Sequence, residues 1–180
     1  GHASLVQTQG DQWYMPHLCG RPLPGTKRCN LGRETAIQKM EWRDDGWLYV
    51  AGGGNNPKET VAAPDLPFHP WPELEPRVPF TSPHFATPRG PASTIEPTDT
   101  ILRLYGSESL ESCFPKSLLA RRLTSHNLTA TTHLSFSPTS FQQMAGLTAY
   151  YNNRLFHHLY LSPDEVAGYR PHTHSCDDGA

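Results

Sequence analysis

Hydrophobic and polar positions alternate with a period of two in three runs between residues 128 and 161, the pattern of β-strands with one covered face. In the first run Leu128, Ala130, Thr132, Leu134 and Phe136 share one face, and Thr129, Thr131, His133 and Ser135 the other. In the second, Leu147, Ala149 and Tyr151 oppose Thr148 and Tyr150; in the third, Leu155, His157, Leu159 and Leu161 oppose Phe156, His158 and Tyr160. Asn152-Asn153 joins the last two runs, and asparagine tolerates the positive φ of a tight hairpin turn. Antiparallel sheet is the expectation.

From the start of the chain, residues 3–8, 13–18, 34–42 and 48–51 predict four short strands. Asp11-Gln12 and Asp44-Asp45-Gly46 supply turns, and residues 20–30, rich in Gly, Pro and charge, a longer loop. Four antiparallel strands are one propeller blade. Pro16 cannot donate to a ladder and predicts an interruption of the second strand. Gly52-Gly53-Gly54-Asn55-Asn56-Pro57 then breaks the pattern, and the stretch to Pro97 has too much proline and too little alternation for regular structure. Short strands are expected to return at residues 101–105 and 118–123. After Leu161 the alternation dissolves, and no closing strand is expected from Tyr169 to Ala180.

Two blocks of sequence carry a resemblance. Gln143-Met144-Ala145-Gly146-Leu147, Tyr150-Tyr151-Asn152 and Leu159-Tyr160 resemble the C-terminal β-sandwich of glycoside hydrolase family 43 β-xylosidases. Gly1-His2-Ala3-Ser4-Leu5-Val6, Trp13-Tyr14, His17-Leu18-Cys19-Gly20-Arg21-Pro22 and Leu31-Gly32-Arg33-Glu34-Thr35-Ala36-Ile37-Gln38 resemble the last part of that family's catalytic β-propeller. Ala63-Pro64-Asp65-Leu66-Pro67 is similar to the link between the two, and Ser175-Cys176-Asp177-Asp178 still follows the family. The resemblance implies an all-β chain: the final blade of a five-bladed β-propeller at residues 1–62, a Pro-rich linker at 63–97, and a partial antiparallel β-sandwich of jelly-roll or concanavalin-like type at 98–180. On that reading the chain is expected to be a piece of a longer enzyme.

Inverting glycoside hydrolysis needs a carboxylic acid to protonate the leaving oxygen and a carboxylate to activate water on the opposite face. The family supplies these from earlier blades, and no acidic residue here matches its motifs. No catalytic residue is therefore expected in this chain, and the isolated chain is expected to be inactive. The resemblance carries over two binding residues. His2 matches a histidine lining the propeller's central pocket, and Arg33 matches an arginine that reaches the sugar and the catalytic acid. A guanidinium suits that role, because its planar fork donates to vicinal hydroxyls and its charge favours the ionised form of a nearby carboxylate. The competing structural roles are an ion pair of Arg33 with Glu34 and an ordinary hydrogen-bonded His2. Some relatives hold a divalent cation such as Ca²⁺ near this histidine; for this chain no metal or cofactor is expected. The implied substrate is a xylo-oligosaccharide, cleaved by an activity like that of xylan 1,4-β-xylosidase, with α-L-arabinofuranosides a second class. The alternative is a non-catalytic β-sandwich module that binds carbohydrate through exposed aromatics.

Composition narrows the partners. With a net charge of −2 and 18% charged residues, the chain has no nucleic-acid footprint, and no apolar run is long enough for a membrane-spanning helix. Cys19, Cys29, Cys113 and Cys176 show no close pairing, so free thiols in a cytoplasmic protein are expected. His172-x-His174-x-Cys176 places three zinc-type ligands on one side of a strand, with His157 or His158 as the fourth; an exposed polar face is the simpler expectation. Trp13, Trp42, Trp47, Trp71, Tyr150, Tyr151 and Tyr160 are mostly expected in the core.

Overall fold

The computed structural model describes residues 2–70, 77–164, 166 and 168–177, and among these there is no helix. The chain divides into two compact units, Gly1–Glu73 and Leu74–Ala180.

The first unit is one antiparallel sheet of β1 (Val6–Gln7), β2 (Trp13–Cys19), β3 (Glu34–Trp42) and β4 (Leu48–Val50), paired in chain order. That order is the meander of a propeller blade. Asp11, at φ 56°, sits in the β1–β2 turn, where Gln7 Nε2 donates to its carboxylate at 2.9 Å. β2 runs through Pro16 without a break, with Pro16 opposite Ile37. The predicted interruption falls on the neighbouring strand instead: β1 pairs only at Val6 and Gln7, with an isolated bridge from Ala3 to His17. A residue's N–H and C=O point to the same side of a strand, and the Pro16 carbonyl accepts from Ser4 N at 3.1 Å. The missing donor therefore faces the edge strand, where proline is tolerated.

Burial in this sheet centres on Tyr14 (2% exposed), Leu31, Met40 and, unexpectedly, Gln38 (2%). Gln38 points inward from β3 and grips the chain after β4. Its Nε2 donates to Lys58 O at 2.9 Å and its Oε1 accepts from Lys58 N at 3.0 Å. Tyr14 Oη donates to Ala62 O at 3.0 Å, and Gln12 Oε1 accepts from Asp65 N at 2.7 Å. Irregular chain from Lys58 to Asp65 is thus strapped to the sheet by side chains that satisfy its backbone groups.

The second unit contains two short ladders and one long sheet. β5 (Phe85–Ala86) pairs with β8 (Ala120–Arg121), and β6 (Ile95–Pro97) with β7 (Leu102–Leu104). β5 and β6 lie in a stretch expected to lack regular structure; their partners come from beyond residue 100, so local composition gave no sign of them. β9 (Ala145–Asn152), β10 (Leu155–Asp164) and β11 (Gly168–Asp177) form a sheet with β10 in the centre.

Three expectations fail in this unit. Residues 128–136 form no strand, and Leu128 and Leu134 are exposed, because no partner among the described residues completes a ladder with them. The closing strand thought absent is present: β11 pairs with β10 over ten positions, from Leu155 opposite Asp177 to Asp164 opposite Gly168. Its residues, Arg170, His172, Thr173, His174 and Ser175 among them, are polar on both faces, so backbone pairing holds it where apolar alternation gives no signal. The hairpin turns at Asn153-Arg154 with neither residue at positive φ; a register shift between Leu155 and Phe156 takes up the twist.

Aromatic burial also differs from expectation. Trp42 (51% exposed), Trp47 (71%) and Tyr151 (59%) lie at the surface, Trp13 meets Trp42 edge to face at 5.7 Å, and Trp71 lies outside the described residues.

Candidate functional site

One end of the four-stranded sheet gathers the residues carried over by resemblance. The segment before β1 crosses the end of β2, where Leu18 N donates to His2 O at 2.9 Å and Ala3 bridges His17. Leu18 in turn lies opposite Thr35, and Cys19 opposite Glu34, at the start of β3. Arg33 immediately precedes that strand. Backbone pairing therefore brings His2 and Arg33, thirty-one positions apart in sequence, to the same end of one sheet. Both are exposed.

The charge at this end is organised by a residue outside the sequence expectations. Arg21 holds Glu34 through a two-pronged pair, Nε to Oε2 at 2.6 Å and Nη2 to Oε1 at 3.0 Å. The Glu34 hydrogen bond raises the Arg21 pKa above its ordinary value. Glu34, offered as the structural partner of Arg33, is thus fixed from the β2 side by Arg21. Only the length of the loop between Gly20 and Leu31 hints at such a pair.

His17 lies beside this edge with its Nδ1 3.2 Å from Leu18 O, while its Nε2 is buried without a hydrogen-bond partner among the described residues. Two histidines do not make a cation site, and no group of three His, Cys, Asp or Glu side chains among the described residues stands where one ion could be held.

The histidine-rich strand of the second unit sets its rings against those of β10. His172, His174 and Cys176 do share a face of β11, but they lie opposite Tyr160, His158 and Phe156 along the ladder. His172 stacks on Tyr160 at 5.3 Å, and His174 meets Phe156 edge to face at 5.4 Å. Among the described residues these side chains form no group able to hold a metal ion. His158 is pushed below its ordinary pKa, first by burial and then by the neighbouring His174. All four cysteines are free thiols.

Comparison with known proteins agrees with this geometry. Residues 78–180 match the β-xylosidase C-terminal concanavalin A-like domain, and residues 1–48 match glycosyl hydrolases family 43. The xylan 1,3-β-xylosidase of a Vibrio species is 39% identical over 92% of this chain and 34% of its own length. The non-reducing end α-L-arabinofuranosidase BoGH43B of Bacteroides ovatus is 34% identical over 82% of this chain and 29% of its own length. The crystal structure of a xylan β-1,4-xylosidase from Bacillus halodurans C-125 superposes with a TM-score of 0.87 at 43% identity, covering 99% of this chain and 36% of that one. The chain spans about a third of the length of the curated relatives it matches. With a blade-like sheet matched at one end and a concanavalin A-like domain across more than half its length, the chain belongs to glycoside hydrolase family 43.

Proposed function

We propose that these 180 residues serve as the C-terminal part of a pentosidase that removes terminal xylose or L-arabinose units from xylo-oligosaccharides with inversion. One observation carries the reading: a family 43 match and a β-xylosidase C-terminal domain match follow one another in a single chain, in a stretch a third as long as its relatives. Named relatives include both a xylosidase and an arabinofuranosidase, so either pentose fits.

In this reading the carboxylic acid and the carboxylate base come from blades outside the 180 residues. The sheet end described above contributes binding. Arg33 donates its guanidinium hydrogens to the sugar hydroxyls, and its charge stabilises the carboxylate that the neighbouring acid becomes once its proton has passed to the leaving oxygen. His2 forms part of the pocket wall.

The test is hydrolysis of an aryl β-xyloside by the 180-residue chain and, separately, by the protein encoded by the complete reading frame that contains it. The chain alone is expected to show no turnover, whereas the longer protein turns over at rates of order 1–10³ s⁻¹. Enzymatic turnover by the chain alone would place the acid and base within it and overturn the proposal. If the longer protein binds xylo-oligosaccharides but hydrolyses nothing, the carbohydrate-binding module is the correct reading.

A further inference from the structure

A cavity of about 170 Å³ opens in the second unit beside the β9–β10 turn. Two cations line it, and neither has a carboxylate partner among the described residues. Lys116 is 6% exposed. Its ammonium donates to Leu110 O at 2.9 Å, Ser112 O at 2.6 Å and Tyr150 Oη at 3.2 Å, and lies 5.4 Å from the Tyr150 ring centroid. All of these partners are neutral, although a buried charge is normally matched by an opposite one. Arg89 uses one of its five donors, Nη1 to Cys113 O at 2.8 Å.

Arg89 is also one of two non-glycine residues in the left-handed region among those described, at φ 63°. A long side chain held there is a local strain, and such strain persists where a position serves a purpose other than stability. Two carboxylates lie nearby, one of them on the pocket-lining Ser112, and neither forms an ion pair with Arg89 or Lys116. Glu108 accepts from Ser112 Oγ at 2.8 Å, and Glu111 lies 3.6 Å from His174 Nε2.

The rest of the wall suits a sugar. Phe114 (69% exposed) and Tyr151 (59%) line the pocket with much of their surface open, beside Asn152, whose Oδ1 accepts from Arg154 N at 2.8 Å, and Asn153, whose Nδ2 donates to Glu111 O at 3.1 Å. Aromatic faces pack against the C–H faces of a sugar ring, and carboxamides both donate to and accept from hydroxyls.

We propose that this pocket binds an acidic sugar, a uronic acid residue carried on an oligosaccharide, with its carboxylate directed to Arg89 and balanced by the buried charge of Lys116. A guanidinium fork matches a carboxylate in two-pronged geometry, and a neutral sugar would leave both charges uncompensated. The carbohydrate half of the ligand rests on the pentosidase reading; the anion half rests on the charges alone.

The test is a calorimetric or NMR titration of the 180-residue chain with three probes: a xylo-oligosaccharide bearing one glucuronic acid, the neutral oligosaccharide of equal length, and inorganic phosphate. The acidic oligosaccharide is expected to bind at least tenfold more tightly than the neutral one, and more weakly as salt rises. Arg89→Gly should lose that preference while keeping or raising the melting temperature, because glycine accepts the left-handed conformation that arginine strains to adopt. Arg89→Lys should retain an intermediate preference. Equal affinity for acidic and neutral oligosaccharides, unchanged binding by Arg89→Gly, or no binding of any probe would overturn the proposal. Phosphate binding as tight as that of the acidic oligosaccharide would overturn its sugar half. The titration does not read hydrolysis, so failure of the pentosidase reading in the aryl xyloside assay is seen separately.

Discussion

Gln38 is a polar side chain on the inward face of a strand, next to Ile37, which is 46% exposed on the outward face. Read from sequence alone, the pair points the wrong way round. The reason is Lys58, twenty positions later, whose backbone N–H and C=O are both met by the Gln38 carboxamide. A partner made of backbone atoms leaves no trace in residue type, so this clasp was illegible. Gln38→Ala should strand both groups of Lys58 and lower stability by about 2 kcal/mol, with urea unfolding as the measurement. Arg33 is a different case: the wording around it singles it out, the structure places it at one sheet end together with His2, and its part in binding is a proposal. On the pentosidase proposal, Arg33→Lys in the longer protein should lower kcat/KM at least tenfold, because an ammonium loses the fork, while Lys39→Arg on β3 leaves it unchanged.

At the scale of the strand, alternation identified most of β9 and β10, where apolar residues repeat every second position. It failed where pairing and burial part company. Residues 128–136 alternate without a ladder, and β11 has a ten-position ladder without alternation. Gly146, opposite Tyr160, shows how closely the β9–β10 ladder is built: a Cβ there would meet the Leu159 carbonyl and the Tyr160 backbone. Backbone atoms cannot rotate away, so Gly146→Ala should cost roughly 3 kcal/mol or more and remove amide exchange protection from β9. The same sheet carries a pH dependence. His158 faces His174, with Tyr160 and His172 alongside, and its folded pKa lies below the ordinary 6.5. As pH falls through that value the unfolded chain takes up a proton before the folded one does. Stability is therefore full at neutral pH, declines below about 6.5, and levels off once the folded imidazole is also protonated. Melting curves between pH 8 and pH 5 should show the decline, and His158→Phe should flatten it.

At the scale of the whole molecule, a change in composition could be read in advance, because Gly52-Gly53-Gly54 and the proline-rich run mark it, and the chain divides into compact units at Gly1–Glu73 and Leu74–Ala180. The surface could not, since burial depends on partners that a single sequence does not display. Trp42, Trp47 and Ile37 in the first unit, and Phe141, Leu159 and Tyr169 in the second, each expose 46% or more of their surface. If these side chains form a contiguous surface, the isolated chain is expected to cover it by association. Light scattering on the isolated chain should give a mass above 20.1 kDa that rises with concentration, and a constant monomer mass would contradict this. The clasp between Gln38 and Lys58 bears on a different kind of handling. A protease that cut the Gly52-Gly53-Gly54 run would sever the covalent path out of β4, yet the downstream piece would still be gripped through Lys58, Ala62 and Asp65. The nicked protein would run as one species on a native gel and as two under denaturation.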